Sequence, residues 1–378
     1  MSFLFIVNYI GIIFSAWFKI PIRVQIFWAI GIFSIIAFCY EPYLQASIDV
    51  HGSGVDLCRH FDSLDYIRMN GSENIYIEAP LSALYLFFVA NIFDNNHYLP
   101  MISIWIFYGI SFFSLFKFLN YFDLDDDIKR FSVSIFLCVT VFFAPMNNIR
   151  YPIATSMFLL VLFYDVVKGY KAAKYMYLLP ICMHPGIIFA VLIRWLAVVQ
   201  LKYVMIISAI LFFLVNNYFD ILILSVAGIF SEIPSIQIQI ISIAGKFTNY
   251  SEHVVYDVPL IYKLTSAYMT LLFVVVFSFV NNYDSYFKKN IWFRMSIIVI
   301  AVSIVGLITN FMSGNFAGRF LSIVPFLSTI MIADVMNHHK SKNDGSYFSF
   351  KLIIFIAAFI YLGVYLFRIY DGWLYLGL

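Results

Sequence analysis

Asp56-Leu57-Cys58-Arg59-His60-Phe61 is the centre of a polar stretch, residues 48–78, set between long apolar segments. Asp49, Asp56, Arg59, Asp62, Asp65 and Arg68 all fall inside it. Elsewhere the chain has little charge. Of 378 residues 63% are hydrophobic and 12% charged, and the mean hydropathy is +0.90. A soluble domain carries about 25% charged residues, so this composition excludes one. It predicts an all-α, polytopic membrane protein with about 10–12 transmembrane or re-entrant helices, because lipid tolerates only backbone that satisfies its own hydrogen bonds.

Crossing about 30 Å of hydrocarbon takes about 20 apolar residues. Such runs fall at 2–17, 24–46, 99–119, 131–146, 152–168, 203–230, 259–281, 291–311, 316–336 and 351–370. Two more segments read ambiguously: 79–93 is short, and 175–198 is broken by His184-Pro185-Gly186. The whole chain, 1–378, reads as one integral membrane domain with outer polar loops at 47–78 and 231–258. The first basic residue is Lys19, so the N-terminus reads as a retained helix rather than a cleaved signal.

Basic residues cluster at Lys19/Arg23, Lys117/Lys129/Arg130, Lys168/Lys171/Lys174, Lys288/Lys289 and Lys340/Lys342/Lys351. If these are cytoplasmic, the loop 47–78, the turns near Arg150 and Arg319, and 231–258 face outward. That holds if 79–93 enters and leaves on the outer side or lies along it, and if 175–198 bends near His184. Irregular backbone at membrane depth needs protein or a wet cavity around it, so a cavity opening outward is expected.

A net charge of +2 leaves no nucleic-acid footprint. The four cysteines form no CxxC pair, and neither a disulfide framework nor a metal site is indicated. The 20% aromatic share reads mainly as packing and interfacial rings. Asp123 to Asp127 reads as an acidic helix start, and His338-His339-Lys340 as a solvated loop.

The isolated charges carry the chemistry. Arg150 precedes Tyr151-Pro152 at the start of an apolar run. A first-turn proline, a positive helix N-terminus and a five-donor guanidinium together suit an anion such as phosphate. Asn315 and Arg319, in Ser313-Gly314-Asn315-Phe316-Ala317-Gly318-Arg319, repeat that logic. His184 sits within an apolar segment, where an ionisable group is costly. Asp56 and Arg59 share a helical face three residues apart. Asp62, Asp65 and Arg68 read as surface ion pairs on a solvated helix. Glu78 opens the short apolar segment through Ala79-Pro80. A carboxylate against an apolar wall can act as a general base, and Asp56 and Glu78 both qualify.

In this order the motifs resemble the EpsG-like branch of the Wzy-type O-antigen and capsule repeat-unit polymerases. The matching pieces are Asp56-Leu57-Cys58-Arg59-His60-Phe61, Glu78, Asn148-Ile149-Arg150-Tyr151-Pro152-Ile153-Ala154, His184-Pro185-Gly186-Ile187-Ile188 and Gly318-Arg319-Phe320. Where relatives often place Gln after the Arg, this chain has Tyr151-Pro152. The resemblance implies a multi-helix glycosyltransferase of the bacterial inner membrane that uses lipid-phosphate sugars, with its active site facing the periplasm. It implies transfer of glycan from undecaprenyl diphosphate onto a lipid-linked repeat unit, without a cofactor. The expected partners are the undecaprenyl-diphosphate-linked oligosaccharide, membrane lipids and a chain-length regulator, with no nucleic acid. Asp56, Glu78 and His184 are the expected catalytic residues. Arg59, Arg150, Arg319 and Asn315 are the expected diphosphate ligands, with no metal. A flippase for lipid-linked sugars is the rival reading, though no two similar halves are visible. A membrane O-acyltransferase fits less well, for want of a second catalytic residue near His184.

Overall fold

The structure is a computed structural model that describes residues 2–43, 56–71, 76, 78–140, 142–198, 323–341 and 346–373, with scattered single positions between 225 and 298. All secondary structure among the described residues is helical. The chain divides into two compact units. One takes Met1–Ile188, Leu271–Asn282 and Pro325–Leu378; the other takes Phe189–Thr270 and Tyr283–Val324. The contacts discussed below lie within the first.

Helices α1 (Ser2–Trp17) and α2 (Ile22–Phe38) pack on each other, turned by Pro21. The polar stretch folds as α3 (Asp56–Asn70), and the short apolar segment as α4 (Pro80–Ile92). Next come α5 (Tyr98–Tyr121), α6 (Asp126–Val139), a short α7 (Phe143–Asn147) and α8 (Arg150–Leu162), which runs on through a π-helical turn, Phe163–Val167. The broken segment gives α9 (Ala173–Met176), α10 (Leu178–Met183), a 3-10 turn (Pro185–Ile187) and α11 (Ile188–Leu196). Helices α12 (Val324–Ser341) and α13 (Ser346–Trp373) follow.

Tyr98–Tyr121 and Arg150–Val167 are long and apolar enough to cross a membrane, and five shorter apolar helices accompany them among the described residues. At 1.5 Å per residue, α5 is about 36 Å long. Helix α4 has 13 residues and reaches only about 20 Å, too short to span. It runs beside α3 in the same direction, as the two ends of the pair show. Arg68, near the end of α3, donates from Nε to Ala90 O at 3.3 Å and from Nη2 to Phe93 O at 2.7 Å, capping the end of α4. It also donates to Asp65 at 2.8 Å and to Asn96 at 2.5 Å. Arg68 is therefore a clamp, where the sequence reads as a surface ion pair alone.

Two helices end where the apolar runs do not. Helix α2 stops at Phe38, four residues before Pro42, although hydropathy continues to 46. Helix α6 starts at Asp126, because the Asp125 side chain accepts from the Asp127 and Ile128 amides and caps the first turn. It ends before Thr140, whose backbone is extended ahead of Pro145. His338 and His339 lie in the last turn of α12, not in a loop.

Much of the aromatic content lies inside. Phe33 stacks on Phe142 at 4.5 Å and on Tyr108 at 5.6 Å, with Phe5 and Tyr9 against the same cluster. Few polar groups stitch the bundle: Gln25 donates to Ser134 at 2.5 Å, Ser134 to Ile12 O at 3.2 Å, and Asn8 to Ala29 O at 3.3 Å. Such interhelical bonds contribute about 0.6–2 kcal/mol each in an apolar bundle.

Candidate functional site

The polar helix α3 is fastened to the Arg150 turn. Asn147 Oδ1, at the end of α7, accepts from the Leu57 amide at 3.0 Å. That amide belongs to the first turn of α3, where no backbone carbonyl can reach it. One turn on, Arg150 opens α8. Its preceding residue, Ile149, is fully buried and held at φ +25°, ψ −65°. A β-branched residue at positive φ is strained by about 1–3 kcal/mol. That geometry puts Arg150 first in the helix, with Pro152 inside the opening turn.

The Arg150 guanidinium carbon lies 3.8 Å from the ring centroid of Tyr76. The Tyr76 hydroxyl in turn shares a 3.1 Å hydrogen bond with His60 Nδ1. His60 is 3% exposed. Burial pulls its pKa from the usual 6.5 down to about 3, and the charges of Arg150 and Arg59 add to that effect. At neutral pH the imidazole is therefore uncharged. It braces Tyr76 without adding a third cation, and the ring braces Arg150. A cation on an aromatic face is worth about 0.5–2 kcal/mol. Stacking takes the face of the guanidinium, while its N–H donors lie in the plane.

His184 joins from the other side. Its ring meets Tyr151 edge-on at 5.1 Å. Its Nδ1 accepts the Gly186 amide at 3.0 Å, so the neutral ring carries its proton on Nε2 and offers a donor there. A Cβ on Gly186 would come 3.0 Å from two atoms of that ring, so the ring would have to shift to admit one. Ser82 of α4 donates to Met183 O at 2.5 Å and fixes the bend to the short helix. The chain departs from the resembling pattern at Tyr151, the residue that touches His184.

Among the sequence-predicted residues, the structure thus links Arg150 and His184 through adjacent residues. Asp56 and Arg59 form an ion pair three residues apart on α3, with Arg59 exposed. Glu78 is half-buried, two residues beyond Tyr76 and ahead of Pro80. Asn315 and Arg319 lie outside the described residues. Three residues were not singled out for a role in the sequence: His60, Tyr76 and Asn147. His60 stands inside the Asp-Leu-x-Arg-His-Phe motif and Asn147 beside Arg150, which are the signals available; Tyr76 has only its nearness to Glu78. Among the described residues no group of three or more His, Cys, Asp or Glu side chains gathers as a metal site would.

Among the described residues the architecture is all helical, and its apolar helices, two of them long enough to cross a bilayer, are consistent with a membrane protein. The family model of EpsG matches residues 59–375, most of the chain. The chain belongs to the EpsG family, which places it with Wzy-like polymerases or related glycosyltransferases of polysaccharide biosynthesis. No curated protein and no solved structure matches it.

Proposed function

We propose that the protein is a polysaccharide polymerase of the O-antigen or capsule type. It sits in the bacterial inner membrane as a multi-pass protein and works on the periplasmic side. It transfers glycan from an undecaprenyl-diphosphate donor to a lipid-linked repeat-unit acceptor. The observation that carries this reading is Arg150, first residue of an apolar helix, held on the Tyr76 ring beside the polar helix α3. A helix N-terminus and a fixed guanidinium favour the same ligand, a diphosphate.

In this mechanism an acceptor hydroxyl oxygen attacks the anomeric carbon of the donor. The bond from that carbon to the diphosphate oxygen breaks, and lipid diphosphate leaves with the electron pair. Arg150 stabilises the charge that develops on it, with Arg59, Arg319 and Asn315 as further ligands. His184 donates to the same oxygens through Nε2–H. The acceptor proton passes to a carboxylate, Asp56 or Glu78.

The test is reconstitution of the full chain in lipid vesicles with purified lipid-linked repeat units. The wild type yields a ladder of longer glycans. Arg150→Ala, present at the same level, yields none. In cells that variant leaves single repeat units on the surface, whereas loss of all surface glycan would indicate transport instead. Long polymer persisting in Arg150→Ala removes Arg150 from the mechanism, and the absence of a ladder from the wild type removes the proposal.

A further inference from the structure

A second recess lies at the polar end, on a face of α3 other than the one that meets Arg150. His60 faces Tyr76, while its neighbour Phe61 points about 100° around the helix, into a cleft of about 470 Å³. The cleft is lined by Glu41, Tyr43, Phe61 and the turn from Asp94 to His97. These residues come from three places: the stretch after α2, the middle of α3 and the turn between α4 and α5.

The walls are held in place. The Tyr43 hydroxyl donates to Asp62 at 2.7 Å, and its ring meets Phe61 edge-on at 6.2 Å. Phe61 packs edge-on against His97 at 5.4 Å. The turn is fixed by the Arg68 clamp, by Asn96 donating to Asp65 at 3.1 Å and by the His97 amide donating to Asn95 Oδ1 at 2.9 Å. Several polar groups remain without a hydrogen bond. His97 Nδ1 is buried and has no partner. Its Nε2 stands 3.6 Å from Glu41 Oε1, too far for a hydrogen bond. Asp94 and Glu41 are exposed carboxylates.

Rigid aromatic rings beside carboxylates and amides suit a polyhydroxylated ligand. Sugar C–H faces rest on rings, and sugar hydroxyls both donate and accept. Among the described residues the lining contains no Lys or Arg; Glu41 and Asp94 line it and Asp62 stands close by, while Arg68 offsets Asp65 alone, so the local field is negative. An anionic sugar or a phosphate is repelled here, although Arg150 attracts one on the neighbouring face of the same helix.

We propose that this cleft is a glycan subsite for an uncharged sugar residue, neutral or N-acetylated, of the chain being handled. The inference rests on the glycan-transfer reading for its biological role, but its test does not. The full chain in lipid nanodiscs is probed by saturation-transfer NMR with maltotetraose, chitotetraose and tetragalacturonate. At least one uncharged probe receives saturation, and tetragalacturonate binds at least tenfold more weakly. Tyr43→Ala lowers binding of the uncharged probe about tenfold. The double variant Glu41→Gln/Asp94→Asn narrows the discrimination against tetragalacturonate. Lys340→Met, in the ion pair with Asp125 where α6 begins, leaves all three signals unchanged. Each variant is compared with wild type by gel filtration and melting, and Tyr43→Phe, which keeps the ring, retains binding where a folding defect would not. No transfer to either uncharged probe overturns the proposal, as does equal binding of the anionic probe in Arg150→Ala, where the neighbouring anion site is gone. Loss of binding with Arg150→Ala but not with Tyr43→Ala overturns it too. Sugar binding as expected, together with no ladder from the reconstituted wild type, would discard the polymerase reading and leave the subsite standing.

Discussion

At the end of the bundle where α6 begins, carboxylates meet ammonium and guanidinium groups directly. Asp125 takes Lys340 at 2.5 Å, while Asp127 takes Lys351 at 3.3 Å and Arg130 at 3.4 Å. The Tyr347 hydroxyl lies 3.5 Å from Asp127, and Lys351 lies over the Trp17 and Phe131 rings at 5.4 and 5.3 Å. At the Arg150 end, one length of α5 away, the cation rests on Tyr76, and the nearest imidazole is neutral. The first arrangement ties α12 and α13 to α6 with charges that satisfy one another. In the second, an aromatic ring and a buried histidine fix a guanidinium at a helix start and exclude a competing proton. Opposite charges dock helices at the first end; at the second, a ring face orients a guanidinium at a helix start.

The sharpest way to break that contrast is to remove the cation at each end. Arg150→Ala lowers polymer formation at least 100-fold, the loss of about 3 kcal/mol of charge stabilisation. Arg150→Lys fails nearly as badly, because an ammonium lacks the planar fork that both stacks and donates. Lys340→Met leaves the rate within twofold. Rates that fall equally for Arg150→Ala and Lys340→Met would erase the distinction.

Next in size is the ring beneath Arg150. Tyr76→Leu removes the stacking partner and the hydroxyl, and costs about tenfold in rate at 0.5–2 kcal/mol for the contact. Tyr76→Phe keeps the ring, loses only the bond to His60, and costs a few-fold. Equal losses in the two variants would assign the effect to the hydroxyl rather than to the ring.

How much of this was legible beforehand differs by kind of feature. Helices α1 and α5, the break at His184 and the first-turn proline at Pro152 follow from local patterns, and the structure has them. Hydropathy alone misplaces the helix ends. Pro42 and the Asp125 cap shift α2 and α6 because they act through backbone hydrogen bonds that apolar runs do not register. Arg150 and His184 stand out as costly charges near apolar runs. Tyr76 and Asn147 do not, because their roles come from contacts between distant segments: Tyr76 reaches Arg150, and Asn147 reaches Leu57. Arg68 was legible as a pair with Asp65 but not as the cap of a helix whose end is 25 residues away.

Acid separates the two ends more gently, and through stability rather than rate. His60 is held near 3 in the folded chain against 6.5 in the unfolded. Below about pH 6.5 the unfolded chain therefore takes up a proton that the folded chain refuses. Stability is complete above that value and falls as pH drops toward 3, by about 2 kcal/mol at pH 5. Asp125 behaves differently. Burial alone would raise its pKa, but the hydrogen bond from Lys340 and those from the Ile128 and Asp127 amides outweigh that and hold it below 3.8. Its contribution is present above 3.8 and is lost only in stronger acid. Hydrogen exchange from pH 7 to 5, corrected for intrinsic rates, should therefore open α3 around His60 while the first turn of α6 keeps its protection. Opening of both ends together at pH 5 would mean that the buried imidazole does not set the local stability of the polar helix.

The smallest effect belongs to the ion pair itself. Asp125 and Lys340 are about 40% and 43% exposed, so solvent screens them and their coupling should be about 0.5–1 kcal/mol. Asp125 also caps α6, which adds about 1 kcal/mol to the cost of Asp125→Ala through the lost acceptor of two amides. A double-mutant cycle of Asp125→Ala with Lys340→Met, read by thermal melting in detergent, separates the two. The cap appears in the single Asp125 variant, and only the pair appears in the coupling. Since α6 needs its cap whether or not α12 is near, a coupling above about 2 kcal/mol would show that the lysine organises the helix start, not merely the docking of α12 against it.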